Sequence, residues 1–365
     1  MIHVISHLLK ITAAEGQAAS RVELRFPGNT TTVNESNLAG CIEHLRKSFR
    51  GYVSCSQEGS AAAWRILLFH VPALEYKTGN LMLLNESPAG HGRVFRMVAG
   101  SSSTEAAFLF PNTHLVVVHY PTKCIHVYGT EYGLSTAAVH LNRQILSDDV
   151  QGFGGLVVHA AGLAMKGKGI ALFGDKGAGK TTLLLASVMN VPHSSYISND
   201  RVVITKKDGI LSLGNWPHKW GVTPHTAAMF PQVRDSIRGV FSGKEAQKAY
   251  VFPWLLTESA GMTFCGKAPF RLAVCVSLDL NNSRPIIRSL PRQRVISELR
   301  KQVILTRNDA EHPEWLWQMR GDSQPAEGEL SKMLGTIARD VECVSLTAGS
   351  DITDTYTALA RLLEL

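Results

Sequence analysis

The sequence predicts a mixed α/β protein in two parts, on three observations. Short apolar runs, broken by Gly, Asn, Pro and Ser clusters, fill the first 130 residues, which is the pattern of strands and tight connections. From about residue 152, strand-like and helix-like segments alternate, as they do in α/β domains. One of those strands runs through a glycine-rich loop directly into a helix. The expected division is a β-rich N-terminal domain over residues 1–130 and an α/β domain over residues 131–365.

A chain of 365 residues is long for one small core, so two domains fit. Apolar residues make up 45% and charged residues 18%, the balance of a soluble globular enzyme. No stretch approaches 18 consecutive apolar residues, so no membrane span is expected. The opening MIHVISHLLKITAAEG has no compact apolar core of the kind a secretory leader carries, and a cytoplasmic address is expected. The six cysteines (Cys41, Cys55, Cys124, Cys265, Cys275 and Cys343) include no CxxC pair, so they read as reduced, mostly buried thiols. Net charge is +7 and the isoelectric point near 9.1. The Lys and Arg residues are dispersed, with no arginine-rich tract, so nucleic acid is not an expected partner. Attraction of small anionic ligands explains the sign of the charge equally well.

In the first part, residues 22–28, 62–71, 80–86, 93–100 and 113–129 read as strands in hairpins and meanders. Leu38, Ile42, Leu45 and Phe49 recur at helical spacing and predict a helix over residues 36–50. Residues 135–148 form a helix leading into the second part. Residues 155–174 read as two strands joined by a turn at Lys166–Gly169, and TTLLLASVMN as the helix after the loop. YISNDRVVI is strand-like; a turn at Lys207-Asp208-Gly209 and the strand ILSLGN follow it. RLAVCVSLDL is a buried strand, RQRVISELRKQVI a helix, VECVSLTAG a strand and DTYTALARLLEL a closing helix.

Gly174-Asp175-Lys176-Gly177-Ala178-Gly179-Lys180-Thr181 matches G-x-x-x-x-G-K-[ST] completely, in the strand–loop–helix setting that the motif requires. The glycines let backbone N–H groups turn inward around phosphate oxygens. The helix that follows, beginning near Thr182, adds its positive end. Lys180 neutralises the β- and γ-phosphates, and the Thr181 hydroxyl coordinates Mg²⁺. The implied ligands are ATP, or another nucleoside triphosphate, and Mg²⁺.

A phosphate loop does not name the reaction; the acid that works with it does. Asp200 ends the YISND strand beside Asn199 and Arg201, and Asp279 ends the more apolar AVCVSLD run. Either one fits a metal-holding or base role, and either one also fits an ordinary strand-end turn. His159 reads as a core histidine on residue type alone. His218 and His225 suit a pocket wall and a plain loop equally well.

The run from His159-Ala-Ala-Gly through Gly169-Ile-Ala-Leu-Phe-Gly174 and the loop, then Ser198-Asn199-Asp200-Arg201, resembles the kinase domain of HPr kinase/phosphorylase and its stand-alone relatives. The His159-to-Gly174 spacing and Gly-Asn-x-Pro at Gly214–Pro217 fall at the family's distances, and the similarity covers residues 155–217, with weaker support to about 290. The resemblance implies a phosphoenolpyruvate carboxykinase-like P-loop fold. It places His159 near the γ-phosphate, Lys180 on the phosphates, Thr181 on Mg²⁺, and Asp200 as proton acceptor and metal neighbour. It suggests Arg288 as the catalytic arginine. Asn199 departs from the family's first aspartate, and the EIRG signature has no match in place; Ser236-Ile237-Arg238-Gly239 is similar but lies further along. The activity implied is transfer of the γ-phosphoryl of ATP to a hydroxyl of a small metabolite or short biosynthetic peptide, by a chain that is homo-oligomeric in many relatives. The alternatives are a serine kinase acting on a carrier or regulatory protein, and a P-loop ATPase or nucleotide-sensing module.

Overall fold

The structure is a computed structural model that describes residues 20–54, 63–71, 81–87, 92–97, 105–110, 113–237, 248–279, 281–304 and 327–363, with the backbone alone over 81–87 and 92–97. It is a mixed α/β protein of two compact units; the described residues of the first end at Asp149, and the second comprises Val150–Ile304 and Pro325–Leu365.

The first unit is built on eight strands: β1 (Ser20–Arg25), β2 (Thr31–Ser36), β3 (Ala63–His70), β4 (Leu81–Ser87), β5 (Gly92–Met97), β6 (Glu105–Phe110), β7 (His114–His119) and β8 (Cys124–Gly129). They form one sheet in the order β1-β2-β3-β8-β7-β6-β5-β4. The expected meander is present from β4 to β8. The pairs β2–β3 and β3–β8 are parallel instead. A parallel pair needs a crossover, and helix α1 (Ala39–Ser48) supplies one between β2 and β3. That helix buries Ile42 and Leu45, as its spacing predicts, and also Cys41.

Strands β2 and β6 were not predicted. The β2 sequence TTVNES is polar yet buried, because a second helix satisfies its side chains. In α2 (Glu131–Gly152) the amide of Asn142 accepts from Thr32 Oγ1 at 2.6 Å and donates to Asn34 Oδ1 at 2.8 Å. Further along, Asp149 accepts the N–H groups of Gly28 at 2.6 Å and Thr30 at 3.0 Å. These bonds hold α2, as far as Asp149, in the first unit.

The second unit holds β9 (Leu156–Val158), β10 (Ala161–Met165), β11 (Lys168–Phe173), β12 (Ser194–Ser198), β13 (Val202–Lys207), β14 (Ile210–Asn215), β15 (Trp220–Val222), β16 (Ala249–Val251), β17 (Lys267–Leu278), β18 (Ile286–Ser289) and β19 (Glu342–Ala348). Its helices are α3 (Lys180–Asn190), α4 (Pro224–Met229), α5 (Pro231–Ser236), α6 (Pro253–Ala260), α7 (Arg292–Gln302), α8 (Glu327–Asp340) and α9 (Ile352–Arg361). The long strand β17 joins two arms. Its start pairs with β14, which leads to β13 and β9; its later residues pair with β11 on one side and β19 on the other.

Two apolar layers hold these arms. One packs Leu172, Val274 and Leu346 against Leu184, Leu185 and Leu359 of α3 and α9, and against Trp220 and Val251. The other packs Phe173 and Ala273 against Ile204, Leu213, Val295, Leu299, Leu334 and Ile337. Each fully buried Leu, Ile, Val or Phe contributes about 1.5–3 kcal/mol relative to exposure. Together these layers fix the ends of β11, β12 and β9, where the site lies.

Two expected elements divide differently. Residues 155–174 form three strands, with a break at His159, whose N–H donates to Gln302 O at 2.7 Å. YISNDRVVI forms β12 and β13, separated at Asn199–Arg201, where Asp200 takes the left-handed φ of 70°. An aspartate accepts that conformation more readily than most residues, and it sends the chain from one arm to the other. Helix α8, the short helices α4 to α6 and the strands β15, β16 and β18 were not predicted. Among the described residues no helix is long and apolar enough to cross a membrane. The five described cysteines are free thiols, with Cys41 buried and the other four half-buried, so fewer are buried than expected. Cys55 lies outside the described residues, as do Arg238 and Gly239.

Candidate active site

Strand β11 delivers the chain into the glycine-rich loop. At Gly174 (φ 144°) a Cβ would stand 2.3 Å from Val276 O of the neighbouring strand β17, so glycine is required. Gly179 (φ 88°) is the N-cap of α3 and offers no side-chain cap. The first-turn N–H groups of α3 and its positive end therefore remain available to an anion. Lys180 Nζ folds back over the loop and donates to Gly174 O at 2.7 Å and Asp175 O at 3.0 Å. Asp175, Lys176 and Gly177 are exposed, and Ala178 closes the turn by donating its N–H to Asp175 O at 3.2 Å.

The next two residues of α3 are each fixed by a different neighbour. Thr181 Oγ1 donates to Asn199 Oδ1 at 3.1 Å, and Asn199 is 2% exposed. Thr182 Oγ1 meets Thr226 Oγ1 of α4 at 3.0 Å. Thr226 in turn donates its N–H to Thr223 Oγ1, the N-cap of α4.

Asp200 follows Asn199 at the crossing between the arms. His159 Nδ1 is 3.6 Å from its Oδ1, and His218 Nε2 is 3.8 Å from its Oδ2, so each carboxylate oxygen faces its own imidazole. The carboxylate stays 39% exposed, open to an incoming group. Burial pushes His159 below the ordinary histidine value; Asp200 raises it, and Lys180 and Arg201 lower it further. At neutral pH that imidazole is uncharged, and its contact with Asp200 is polar rather than an ion pair. Burial likewise lowers Lys180; Asp200 and Asp175 oppose the shift, and Lys248 adds to it. Asp200 acts on both His159 and Lys180, and Lys180 acts on His159, which places the three in one electrostatic neighbourhood.

Other predicted residues lie apart. Asp279 accepts the N–H of Asn281 at 3.1 Å and a bond from the Asn282 side chain, which is the strand-end turn. Arg288 is exposed on β18 opposite Ser345, which lies opposite Cys275, which lies opposite Phe173. Residues opposite one another share a face, and this is the face of α7 and α8, away from α3. Three strand spacings, about 14 Å, also separate β18 from β11. The structure therefore does not bring Arg288 to the loop. His225 is exposed on α4. Of the two histidines that the sequence left undecided, His218 is the one that faces Asp200.

The residues fit a triphosphate with Mg²⁺. Gly174, Gly177 and Gly179 all take positive φ around the loop, the helix end is uncapped, and an ammonium lies across the loop. Thr181 directs its hydroxyl hydrogen to Asn199 Oδ1, which leaves its oxygen lone pairs for a cation. Among the described residues no three His, Cys, Asp or Glu side chains gather to hold a metal. Mg²⁺ suits such a place, since it binds through few protein oxygens and takes the rest from phosphate and water.

No family model matches this sequence, and no curated protein matches it. Among solved structures, the Hpr(Ser) kinase/phosphatase from Coxiella burnetii aligns at 11% identity over 37% of this chain and 77% of that one, with a TM-score of 0.23. A likeness at that level adds no weight beside the geometry of the site.

Proposed function

We propose that this chain is an ATP-dependent kinase of the HPr kinase-related type, with a phosphoenolpyruvate carboxykinase-like P-loop domain. Its acceptor is an alcohol hydroxyl on a small metabolite or short peptide. The observation that carries this reading is Asp200, a partly exposed carboxylate held between His159 and His218 and within electrostatic reach of Lys180.

Lys180 and the loop amides bind the phosphates and stabilise charge on the transferred group. Thr181, its proton engaged by Asn199, offers an oxygen to the metal. Mg²⁺, when bound, supplies charge neutralisation across the phosphate oxygens. Asp200 orients the acceptor hydroxyl and takes its proton as the new O–P bond forms. The bond from the γ-phosphorus to the β–γ bridging oxygen breaks, and its electron pair leaves with ADP. His159 and His218 hold the carboxylate in place.

The test is label transfer from γ-labelled ATP to hydroxyl-bearing metabolites and peptides. Asp200→Asn is expected to abolish transfer and leave ATP affinity within about twofold, since a positioned base contributes roughly 10²–10⁴ in rate. If Asp279→Asn abolished transfer and Asp200→Asn did not, the assignment of the base would be wrong. Hydrolysis of ATP at one rate with and without every acceptor tried would identify an ATPase instead.

A further inference from the structure

Asp200 and His218 face each other from two segments whose ladders stop short of them. Among the described strands, β12 lies at the edge of its arm and ends at Ser198. Its pairing with β10 passes from Leu163–Tyr196 to Gly162–Ser198, so Ile197 is an extra residue there. A bulge of this kind interrupts the ladder and re-aims the side chains beside it. In the other segment, the β13–β14 ladder closes with Val202 opposite Asn215, and Trp216 lies one residue beyond. Asp200 sits on the turn before β13, and His218 on the stretch before β15.

One hydroxyl joins the two segments. Ser198 Oγ donates to Trp216 O at 3.1 Å and accepts the Trp216 N–H at 3.1 Å. A hydrogen-bonded antiparallel pair exchanges both bonds with one opposite residue in the same way, so this side chain acts as a strand neighbour. Ser198 and Trp216 are each 1% exposed, and a buried N–H and C=O left without partners are costly. The Arg201 guanidinium lies over the Trp216 ring, 5.8 Å from its centre. Two residues on from Ser198 is Asp200, and two residues on from Trp216 is His218; their Oδ2 and Nε2 are 3.8 Å apart. Pro217 stands between Trp216 and His218. Its ring fixes φ, so a shift at Trp216 is passed on to His218 rather than absorbed.

We propose that Ser198 is a positioning residue: its hydroxyl sets the register between the two segments and so keeps His218 against Asp200. This deepens the function proposed above and rests on it only for the effect on phosphoryl transfer. The first test needs no acceptor. It follows the ring signals of the full chain labelled with ¹³C-histidine, the His218 signal being the one lost in His218→Phe. Asp200→Asn is expected to move that signal in the unaltered chain. In Ser198→Ala the same change is expected to move it less than about half as far, and in Ile337→Val, a core variant on α8, just as far. Ser198→Cys, which keeps most of the shape with a weaker donor, replaces Ser198→Ala if that variant does not fold. The second test is transfer from γ-labelled ATP to the best hydroxyl acceptor of the screen above. Ser198→Ala is expected to slow it about tenfold with ATP affinity within about twofold, and the double variant with His218→Phe to be no slower than the slower single one. A full movement of the signal in Ser198→Ala, an equally reduced one in Ile337→Val, or losses that multiply in the double variant would overturn the assignment. If Asp200→Asn left the His218 signal unmoved in the unaltered chain, the pair itself would be absent, and the role of Ser198 with it. Spectra as expected with no transfer to any acceptor would sink the kinase reading and leave Ser198 in place.

Discussion

Thr181 donates its hydroxyl to the amide oxygen of Asn199 across 3.1 Å, joining the first turn of the loop helix to the crossing where Asp200 sits. Asn199 is itself buried, so this bond is one of the fixed points from which the site takes its shape. A carboxylate at residue 199 would make the same bond while adding a negative charge next to the oxygen that faces the metal.

Two substitutions at this position separate the bond from the charge. Asn199→Ala removes the acceptor and is expected to cost about 1–3 kcal/mol of stability, read from urea unfolding. Asn199→Asp keeps the bond, and the added charge is expected to lower the Mg²⁺ concentration at half-maximal nucleotide binding severalfold. Identical Mg²⁺ dependence in both variants and the unaltered chain would remove Asn199 from the surroundings of the metal.

His218 faces one oxygen of Asp200 as His159 faces the other. His218→Phe leaves the carboxylate oriented from one side alone. The expected result is phosphoryl transfer slower by about tenfold, with ATP affinity unchanged. A loss of ATP affinity with no change in turnover would place His218 in nucleotide binding instead.

Arg288 and Asp279 are expected to be silent in chemistry. Arg288 lies on the face away from α3, and Asp279 closes a turn. Arg288→Ala is expected to change transfer by less than about twofold, and Asp279→Asn to cost about 1 kcal/mol of stability with nucleotide affinity kept. A large loss of transfer in Arg288→Ala would contradict the strand register given above.

In the first unit, His114 is 4% exposed and stacks on Phe110 with ring centroids 4.1 Å apart. Burial pushes its pKa down to about 3. The unfolded chain takes up this proton near pH 6.5, and the folded chain does so only at much lower pH. Between those values the unfolded state binds more protons, so stability falls as pH falls, at up to about 1.4 kcal/mol per pH unit. Urea midpoints at pH 7 and pH 5 check this, with His114→Phe expected to flatten the dependence.

The site was legible in the sequence where backbone chemistry alone dictates it. The loop glycines are needed because Gly174 lies against Val276 O and Gly179 takes a positive φ, and the spacing to Lys180 and Thr181 follows from the loop wrapping phosphate. Helix α1 was legible for a similar local reason, its apolar residues recurring at 3.6-residue spacing. Strand β2 was not, because TTVNES is polar and its burial depends on Asn142, more than 100 residues away. The split of YISNDRVVI was hidden too, since a φ of 70° at Asp200 leaves no mark on residue type beyond tolerance of it.

The sequence by itself determined that a loop able to cradle phosphates follows a strand and opens a helix, since that depends on residues adjacent in the chain. Tertiary structure alone decided which side chains face that loop. It set His218 and His159 on the two oxygens of Asp200, turned Arg288 to the far face of the sheet, and closed Trp216 on the Ser198 hydroxyl. These placements depend on strand pairing and register, in which a shift of one residue moves every side chain to the opposite face. Such pairing joins segments far apart in the chain, and composition and local spacing do not encode it.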